Sequence, residues 1–214
     1  MGNYKGLFIV LEGIDGSGKS TQARRLKARL DRLDLKSLLL HEPGGTSLGE
    51  EINRLVKHST HIDIGPLAET LLFAAARAQL IEEVIQPALL SGTTILCDRF
   101  TPSTEAYQGY GRNVPAELVM VATKYVVGEL APDIVIWLDV EVEMGLARKQ
   151  GPHLFGVADR FEDEKSSFHN RVRNGYVLMA KERPDLWFRV DGSRPVNEVE
   201  QEVWRVVSRL LPKK

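Results

Sequence analysis

Eight consecutive residues near the amino terminus carry the clearest chemistry in the chain. Starting at Gly13 they read Gly-Ile-Asp-Gly-Ser-Gly-Lys-Ser, after an apolar run at residues 7–11 and before a helical pattern. This is the spacing of a phosphate-binding loop, whose glycines let backbone N–H groups turn around phosphate oxygens at a helix N-terminus. We therefore expect a nucleoside triphosphate to contact Gly13, Asp15, Gly16, Ser17, Gly18, Lys19, Ser20 and Thr21. A glycine-rich turn that fits the pattern by chance is the alternative.

Two side chains of this loop have specific tasks in the motif. Lys19 would reach the β- and γ-phosphates of the nucleotide, and the Ser20 hydroxyl would ligate Mg²⁺. The loop therefore predicts binding of a metal–nucleotide complex, but it leaves the reaction open.

Charged residues also follow three other apolar runs of the chain. Glu42, Asp98 with Arg99, and Asp139 come directly after or close behind runs that read as strands. In open parallel sheets, ligands bind outside the carboxyl ends of the strands. We expect these side chains to meet the phosphate loop at one edge of a sheet, which is a site hypothesis in its own right.

Strand-like runs alternate with helical patterns along the whole chain, which predicts βαβ units and a parallel sheet. The fold expected is α/β, a three-layer, doubly wound, parallel five-stranded sheet of the P-loop NTP hydrolase type with a lid segment. The predicted strands are 7–11, 37–40, 93–97, 133–138 and 187–190. The predicted helices are 19–33, 47–56, 67–90 with a kink or break at Pro87, 115–127, 141–149, 163–182 and 196–211. We expect a single domain over 1–214, with a lid at about 148–161 that contains a mobile loop.

The net charge, the length of the apolar runs and the cysteine content of the sequence exclude several classes of protein. The 214 residues carry a formal net charge of −1, which argues against a nucleic-acid partner. No apolar run approaches the length of a membrane span, and the first residues lack a signal-peptide core. The single cysteine, Cys97, lies in an apolar run and is expected to be a buried core residue in a cytoplasmic protein.

Two classes of phosphate-loop protein lack support in the sequence. A GTPase normally carries an Asn-Lys-x-Asp element, which does not occur in this chain. Leu90-Ser91-Gly92 resembles part of a transporter signature, but its position favours a helix end followed by glycine. Phosphoryl transfer between two bound nucleotides remains, because that reaction needs cationic side chains from several loops around the γ-phosphoryl group.

Four motifs together resemble those of the thymidylate kinases. They are Glu-Gly-x-Asp-Gly-x-Gly-Lys-Ser at 12–20, Glu-Pro-Gly-Gly-Thr at 42–46, Asp-Arg-Phe at 98–100 and Ser-Thr-x-Ala-Tyr-Gln-Gly at 103–109. The resemblance covers nearly the whole chain in the correct order and spacing. It implies an enzyme that transfers the γ-phosphoryl group of ATP to dTMP with Mg²⁺, giving ADP and dTDP, and that is a cytoplasmic homodimer.

The resemblance also implies which residues hold dTMP. Arg99 would grip the 5′-phosphate, for which a guanidinium fork is well suited, and Asp15 would accept a hydrogen bond from the 3′-hydroxyl. Tyr107 would close against the deoxyribose. The thymine ring would be stacked or read by Phe73, Arg77, Thr104 and Gln108, and Glu42 and Ser103 complete the set. Without the resemblance, Phe73 reads as core and Asp15 as a loop-stabilising residue.

The catalytic assignments that the resemblance implies are Lys19, Arg99, Arg148 and Arg160. The phosphate loop contains no arginine, so Arg148 and Arg160 would supply the transition-state charge from the lid. Ser20, Asp98 and Glu162 would form the metal shell. A solvated basic loop is the alternative for the two arginines, and a strand-end cap is the alternative for Asp98.

Several positions depart from the family pattern and keep rival functions open. Asn53 stands where the family usually has a phosphate-binding arginine, and Arg54 follows one residue later. A one-residue shift on a helix rotates a side chain by about 100°. His41 and Ala76 are further departures. The rivals are a kinase of another nucleoside monophosphate and a catalytically weakened nucleotide-binding protein of the same fold.

Overall fold

A five-stranded parallel sheet forms the centre of the protein. The computed structural model describes residues 5–59, 61–149, 161 and 164–211. The strands lie in the order β2–β3–β1–β4–β5, and every neighbouring pair is parallel. Their bounds are β1 Phe8–Glu12, β2 Ser37–His41, β3 Thr94–Asp98, β4 Ile134–Asp139 and β5 Trp187–Asp191. The predicted fold class is therefore confirmed, with β1 and its phosphate loop at the middle of the sheet.

Helices cover both faces of this sheet within the described residues. Their bounds are α1 Lys19–Arg32, α2 Ser47–His58, α3 Pro66–Leu80, α4 Gln86–Leu90, α5 Thr101–Thr104, α6 Ala116–Val127, α7 Val142–Lys149, α8 Ser166–Glu182 and α9 Val196–Val207. β1 and β4 are buried along their whole length, because a parallel sheet with helices on both faces leaves neither face to water. This explains their unbroken apolar runs.

The two faces of β1 belong to two separate parts of the core. Ile9 packs with Leu26 of α1 and Val203 of α9 on one face. Phe8 and Val10 pack with the helical layer that contains Leu80 on the other. Cys97 is fully buried in that second cluster, and burial raises the pKa of its thiol well above the ordinary value. The thiol therefore stays protonated and behaves as a small apolar side chain.

The helical stretch predicted at 67–90 is continuous, but it is not a uniform α-helix. After α3 the chain makes a π-helical turn at Ile81–Ile85 and then enters α4. Pro87, which lacks an N–H group, lies directly after this π-helical turn, at the start of α4. A second π-helical segment, Glu105–Gly111, extends α5 and was not indicated by the sequence periodicity. Such π turns often occur at functional sites, and this one carries Tyr107 and Gln108.

Candidate active site

The phosphate loop connects β1 to α1 in a conformation that depends on its glycines. Gly13, Gly16 and Gly18 have φ angles of +141°, +72° and +97°, which side chains other than glycine rarely adopt. A Cβ at Gly16 would also lie 2.0 Å from the carbonyl oxygen of Gly145. Gly18 precedes the first residue of α1 and provides no side-chain cap. The N-terminus of α1 is thus presented to the loop, as phosphate binding requires.

Lys19 is buried under the loop, with its ammonium group donating a hydrogen bond to the carbonyl oxygen of Ile14 at 2.9 Å. Burial, and after it the positive charge of Arg99, lowers the pKa of Lys19 to about 8, against the raising effect of the carboxylates of Asp98, Asp15 and Glu12. An anionic phosphate placed in the loop would favour the charged ammonium.

Ser20 and Asp98 bring oxygen donors together beside the loop. The Ser20 hydroxyl donates a short hydrogen bond to the Asp98 carboxylate, although the two residues are 78 positions apart in sequence. A hydroxyl and a single carboxylate next to nucleotide phosphates suit Mg²⁺, which keeps several waters and does not need an all-protein cage. No cluster of three or more metal-ligating His, Cys, Asp or Glu side chains occurs among the described residues.

Arg99 is the most constrained side chain of the site. Its φ of +75° lies in the left-handed region, where a residue other than glycine is strained. Its guanidinium donates to the carboxylate of Asp15 at 2.6 Å and to the Tyr107 hydroxyl at 3.0 Å. It also donates to Gly13 and Ser103, each at 3.0 Å. Strain of this kind marks positions that the surrounding structure holds for a function.

Glu12 lies beneath Arg99 and was missed by the sequence interpretation. Its carboxylate accepts hydrogen bonds from the backbone N–H of Phe100 at 2.8 Å and from the hydroxyls of Ser103 and Tyr176 at 2.7 and 2.9 Å. Burial raises the pKa of Glu12, against the lowering effect of Arg99. Glu12 thus anchors the turn that carries Arg99. Its sequence signals were a carboxylate at the end of an apolar run and its place at the start of the first family motif.

Asp15 joins the phosphate loop to Arg99. Burial would raise the pKa of this carboxyl, but the positive charges around it, those of Arg99 first, lower the pKa far below its ordinary value. Asp15 is therefore ionised at neutral pH and acts as a hydrogen-bond acceptor.

An inner cleft extends from Arg99 between α3 and the helical segment after β3. It is lined by Asp15, Glu42, Pro43, Lys57, Phe73, Arg77, Arg99, Phe100, Ser103, Thr104, Tyr107, Gln108 and Phe161. The structure thus brings together all nine residues expected around dTMP. The sequence interpretation had assigned no role to Pro43, Lys57, Phe100 or Phe161.

Arg77 and Glu42 form a buried ion pair in this cleft. The Arg77 Nε donates to one Glu42 carboxylate oxygen at 2.8 Å, and the guanidinium also donates to Thr104 at 2.9 Å. The other Glu42 oxygen and the Arg77 Nη1 are buried and have no partner among the described residues. An unpaired buried donor and an unpaired buried acceptor beside one cleft indicate a polar ligand there.

Gln108 and Phe73 complete the walls of the inner cleft. The Gln108 amide is fully buried and donates to Glu69 at 2.9 Å, so its orientation is fixed. Phe73 is partly buried on α3, four residues before Arg77, with its ring centroid 6.2 Å from that of Phe161. The cleft therefore offers aromatic faces and fixed polar groups, which a planar heterocycle requires.

A second cleft lies over the phosphate loop, and we call it the loop cleft. It is lined by residues 15–22 together with His41, Glu42, Lys57, Asp98, Arg99, Arg148, Lys149, Gly192, Arg194, Val196 and Val199. Arg148, at the end of α7, donates to the carbonyl oxygen of Gly192 at 2.9 Å, and its Nη1 lies 3.5 Å from the carbonyl oxygen of Gly16. Arg160, Glu162 and most of the predicted lid lie outside the described residues.

Comparison with known proteins gives a consistent result. The family model described as thymidylate kinase matches residues 11–203. A thymidylate kinase from Dehalococcoides mccartyi is 44% identical over 205 residues, covering 96% of this chain and 97% of its own. A thymidylate kinase from Deinococcus radiodurans is 42% identical over 204 residues, covering 95% and 97%. The crystal structure of thymidylate kinase from Ehrlichia chaffeensis is similar with a TM-score of 0.76 at 31% identity, covering 94% of this chain and 98% of that one.

Proposed function

The chain belongs to the thymidylate kinase family, and from this premise we infer how its residues divide the work of the reaction. The protein is a phosphotransferase that moves the γ-phosphoryl group of ATP to dTMP, giving ADP and dTDP. The loop cleft and the inner cleft meet at Asp15 and Arg99. On this observation we assign ATP to one cleft and dTMP to the other.

ATP is proposed to lie in the loop cleft, with its phosphates on the N-terminus of α1. Gly13, Gly16 and Gly18 supply the backbone conformation, and the first turn of α1, with Ser20 and Thr21, supplies donors. Lys19 contacts the β- and γ-phosphates. The negative charge of these phosphates offsets the free-energy cost of burying the charged ammonium group of Lys19.

The dTMP is proposed to lie in the inner cleft, with thymine against Phe73 and its polar edge facing Arg77. The buried, unpaired Nη1 of Arg77 supports this placement, because a thymine carbonyl would satisfy it. Thr104 and Gln108 read the rest of the base edge. The deoxyribose lies against Tyr107, whose ring is held by the Arg99 guanidinium 4.9 Å away.

Transfer between the two nucleotides requires stabilisation of negative charge rather than covalent chemistry by the protein. Arg99 is proposed to hold the 5′-phosphate of dTMP in line with the γ-phosphoryl group of ATP, while Asp15 orients that arginine and receives the 3′-hydroxyl. Lys19 and Arg148 neutralise charge from the ATP side. Arg160 is proposed to approach from the lid, which also excludes water from the reacting groups.

The family uses ATP in phosphoryl transfer, and we propose that Mg²⁺ accompanies it at Ser20 and Asp98. The oxygen donors of these two side chains fit that ion. Mg²⁺ would neutralise phosphate charge and orient the triphosphate. Glu162 is proposed as a further contributor to the metal shell.

We propose a single domain over 1–214 with a lid at about 148–161, assembled as a homodimer in the cytoplasm. Exposed apolar side chains on α3 and α6 support the dimer, because Leu71, Met120 and Tyr125 are 53%, 60% and 86% exposed. Across the part of the chain that the structure describes, no helix combines the length and apolar character that crossing a membrane requires.

The substrate assignment is tested by a coupled assay of ADP release with dTMP, dUMP, dCMP and AMP as acceptors. We expect dTMP to have the highest kcat/KM, since only thymine presents both a ring carbonyl to Arg77 and a methyl group to the aromatic wall. Turnover of dCMP or AMP without turnover of dTMP would contradict the assignment.

A further inference from the structure

Four side chains line both the loop cleft and the inner cleft, and together they define the junction where the two substrates must meet. They are Asp15, Glu42, Lys57 and Arg99. A phosphoryl group that passes from one cleft to the other crosses this junction. Asp15 and Arg99 already have tasks in the reaction proposed above, and Glu42 forms the buried ion pair with Arg77, whereas no task has yet been assigned to Lys57.

The helix α2 sets the position of Lys57. Asn53 lies one turn earlier on the same face, since residues four apart are neighbours on a helix surface. Asn53 is neutral and its amide oxygen is buried. Arg54 lies on a different face, is 64% exposed, and donates two hydrogen bonds to Glu51 at 2.7 and 2.6 Å. Of the charged residues of α2, Lys57 is the one that borders both clefts.

Each carboxylate at the junction is already paired with an arginine. The Asp15 carboxylate is engaged by Arg99 at 2.6 Å, and Glu42 is engaged by Arg77 at 2.8 Å. Burial would raise the pKa of Asp15, whereas the charges of Arg99, Lys149, Lys19 and Lys57 lower it, so the field of Lys57 reaches into the junction. A monophosphate brings close to two negative charges to this place, and an additional cation there offsets them.

We propose that Lys57 binds the phosphate of the acceptor nucleotide at the junction of the two clefts. Arg99 fixes the orientation of that phosphate with a planar guanidinium, and Lys57 adds a point charge on a flexible stem that follows the phosphate as it approaches the γ-phosphoryl group. This α2 lysine thereby supplies the charge that Asn53, one turn earlier, does not. The proposal rests on the assignment of the acceptor to the inner cleft.

Calorimetric titration of the full-length protein with dTMP and with thymidine separates a phosphate contact from a structural effect. In Lys57→Met we expect the affinity for dTMP to fall roughly 10- to 100-fold, the range for a charge-assisted hydrogen bond, and the affinity for thymidine to stay unchanged. Lys57→Arg should recover most of the dTMP affinity. Arg54→Met removes a cation from the same helix away from the clefts, and it should leave both affinities unchanged.

The results that would overturn the proposal are an unchanged affinity of Lys57→Met for dTMP, or an equal loss for dTMP and thymidine. The same titrations decide the question even if the wild-type protein fails to phosphorylate dTMP, which would refute the proposed function by itself. In kinetic assays, Lys57→Met should raise the KM for dTMP, and the increase should shrink at high salt because screening weakens the wild-type contact.

Discussion

Replacing Arg77 by methionine is expected to destabilise the protein by an amount that grows with pH. Arg77 and Glu42 are 3% and 7% exposed, and they form a buried ion pair at 2.8 Å. Removing one partner of such a pair leaves a buried charge without compensation, which typically costs about 3–5 kcal/mol. Part of this cost is avoided when Glu42 takes up a proton, because the buried carboxyl is then neutral. The loss of stability caused by the substitution therefore depends on pH.

The direction of the pH dependence follows from the pKa of Glu42. Burial raises it from 4.5 to about 7, against the lowering effect of Arg77. In the wild type the folded state therefore holds a proton that the unfolded state releases, so stability falls as pH rises from 4.5 to about 7 and then levels off. Without Arg77 the pKa of Glu42 rises further. The stability of the variant therefore continues to fall above neutral pH, by about 1.4 kcal/mol per pH unit. The destabilisation should thus be about 1.4 kcal/mol larger at pH 8 than at pH 6.

Urea unfolding of the unliganded protein at pH 6, 7 and 8 measures this difference. The matched control is the same substitution in a Glu42→Gln background, where the free energy lost with Arg77 should be independent of pH. If Arg77→Met destabilises the Glu42-containing protein equally at pH 6 and pH 8, Glu42 is not the titrating partner and the reasoning fails.

Four further outcomes are expected. Because the pKa of Lys19 is about 8, affinity for an ATP analogue should fall about tenfold between pH 7 and pH 9, and titrations of Lys19→Arg should show no such fall. Ser20→Ala should raise the Mg²⁺ concentration needed for half-maximal activity while the KM for dTMP is unchanged. Tyr107→Ala should reduce the preference in kcat/KM for dUMP over UMP; an unchanged ratio would remove Tyr107 from sugar selection. Met120→Arg should convert a dimer to a monomer in sedimentation velocity, since a charge among the exposed apolar side chains of α6 opposes their burial.

The phosphate loop and the fold class were predictable from the sequence because both depend on local patterns. The glycine spacing fixes a backbone conformation within eight residues, and the apolar runs identify strands that are buried on both faces. Glu42 and Asp98 were also expected at one edge of the sheet, because each follows a strand and parallel strands bring their carboxyl ends together. The same reasoning missed the helical segment at 101–111, where the π-helical turns disrupt the usual 3.6-residue period.

By itself, the sequence determined which residue types reach the site, but only the tertiary structure decided how they are paired. Glu12 supports Arg99 by accepting hydrogen bonds from Phe100 and Ser103, which lie 88 and 91 positions later in the sequence. No local pattern encodes such contacts. The place of Lys57 depends on how α2 packs against the rest of the protein, whereas the sequence shows only a basic residue near a helix end. The strength and direction of each electrostatic effect depend on burial and distance, which are properties of the folded chain.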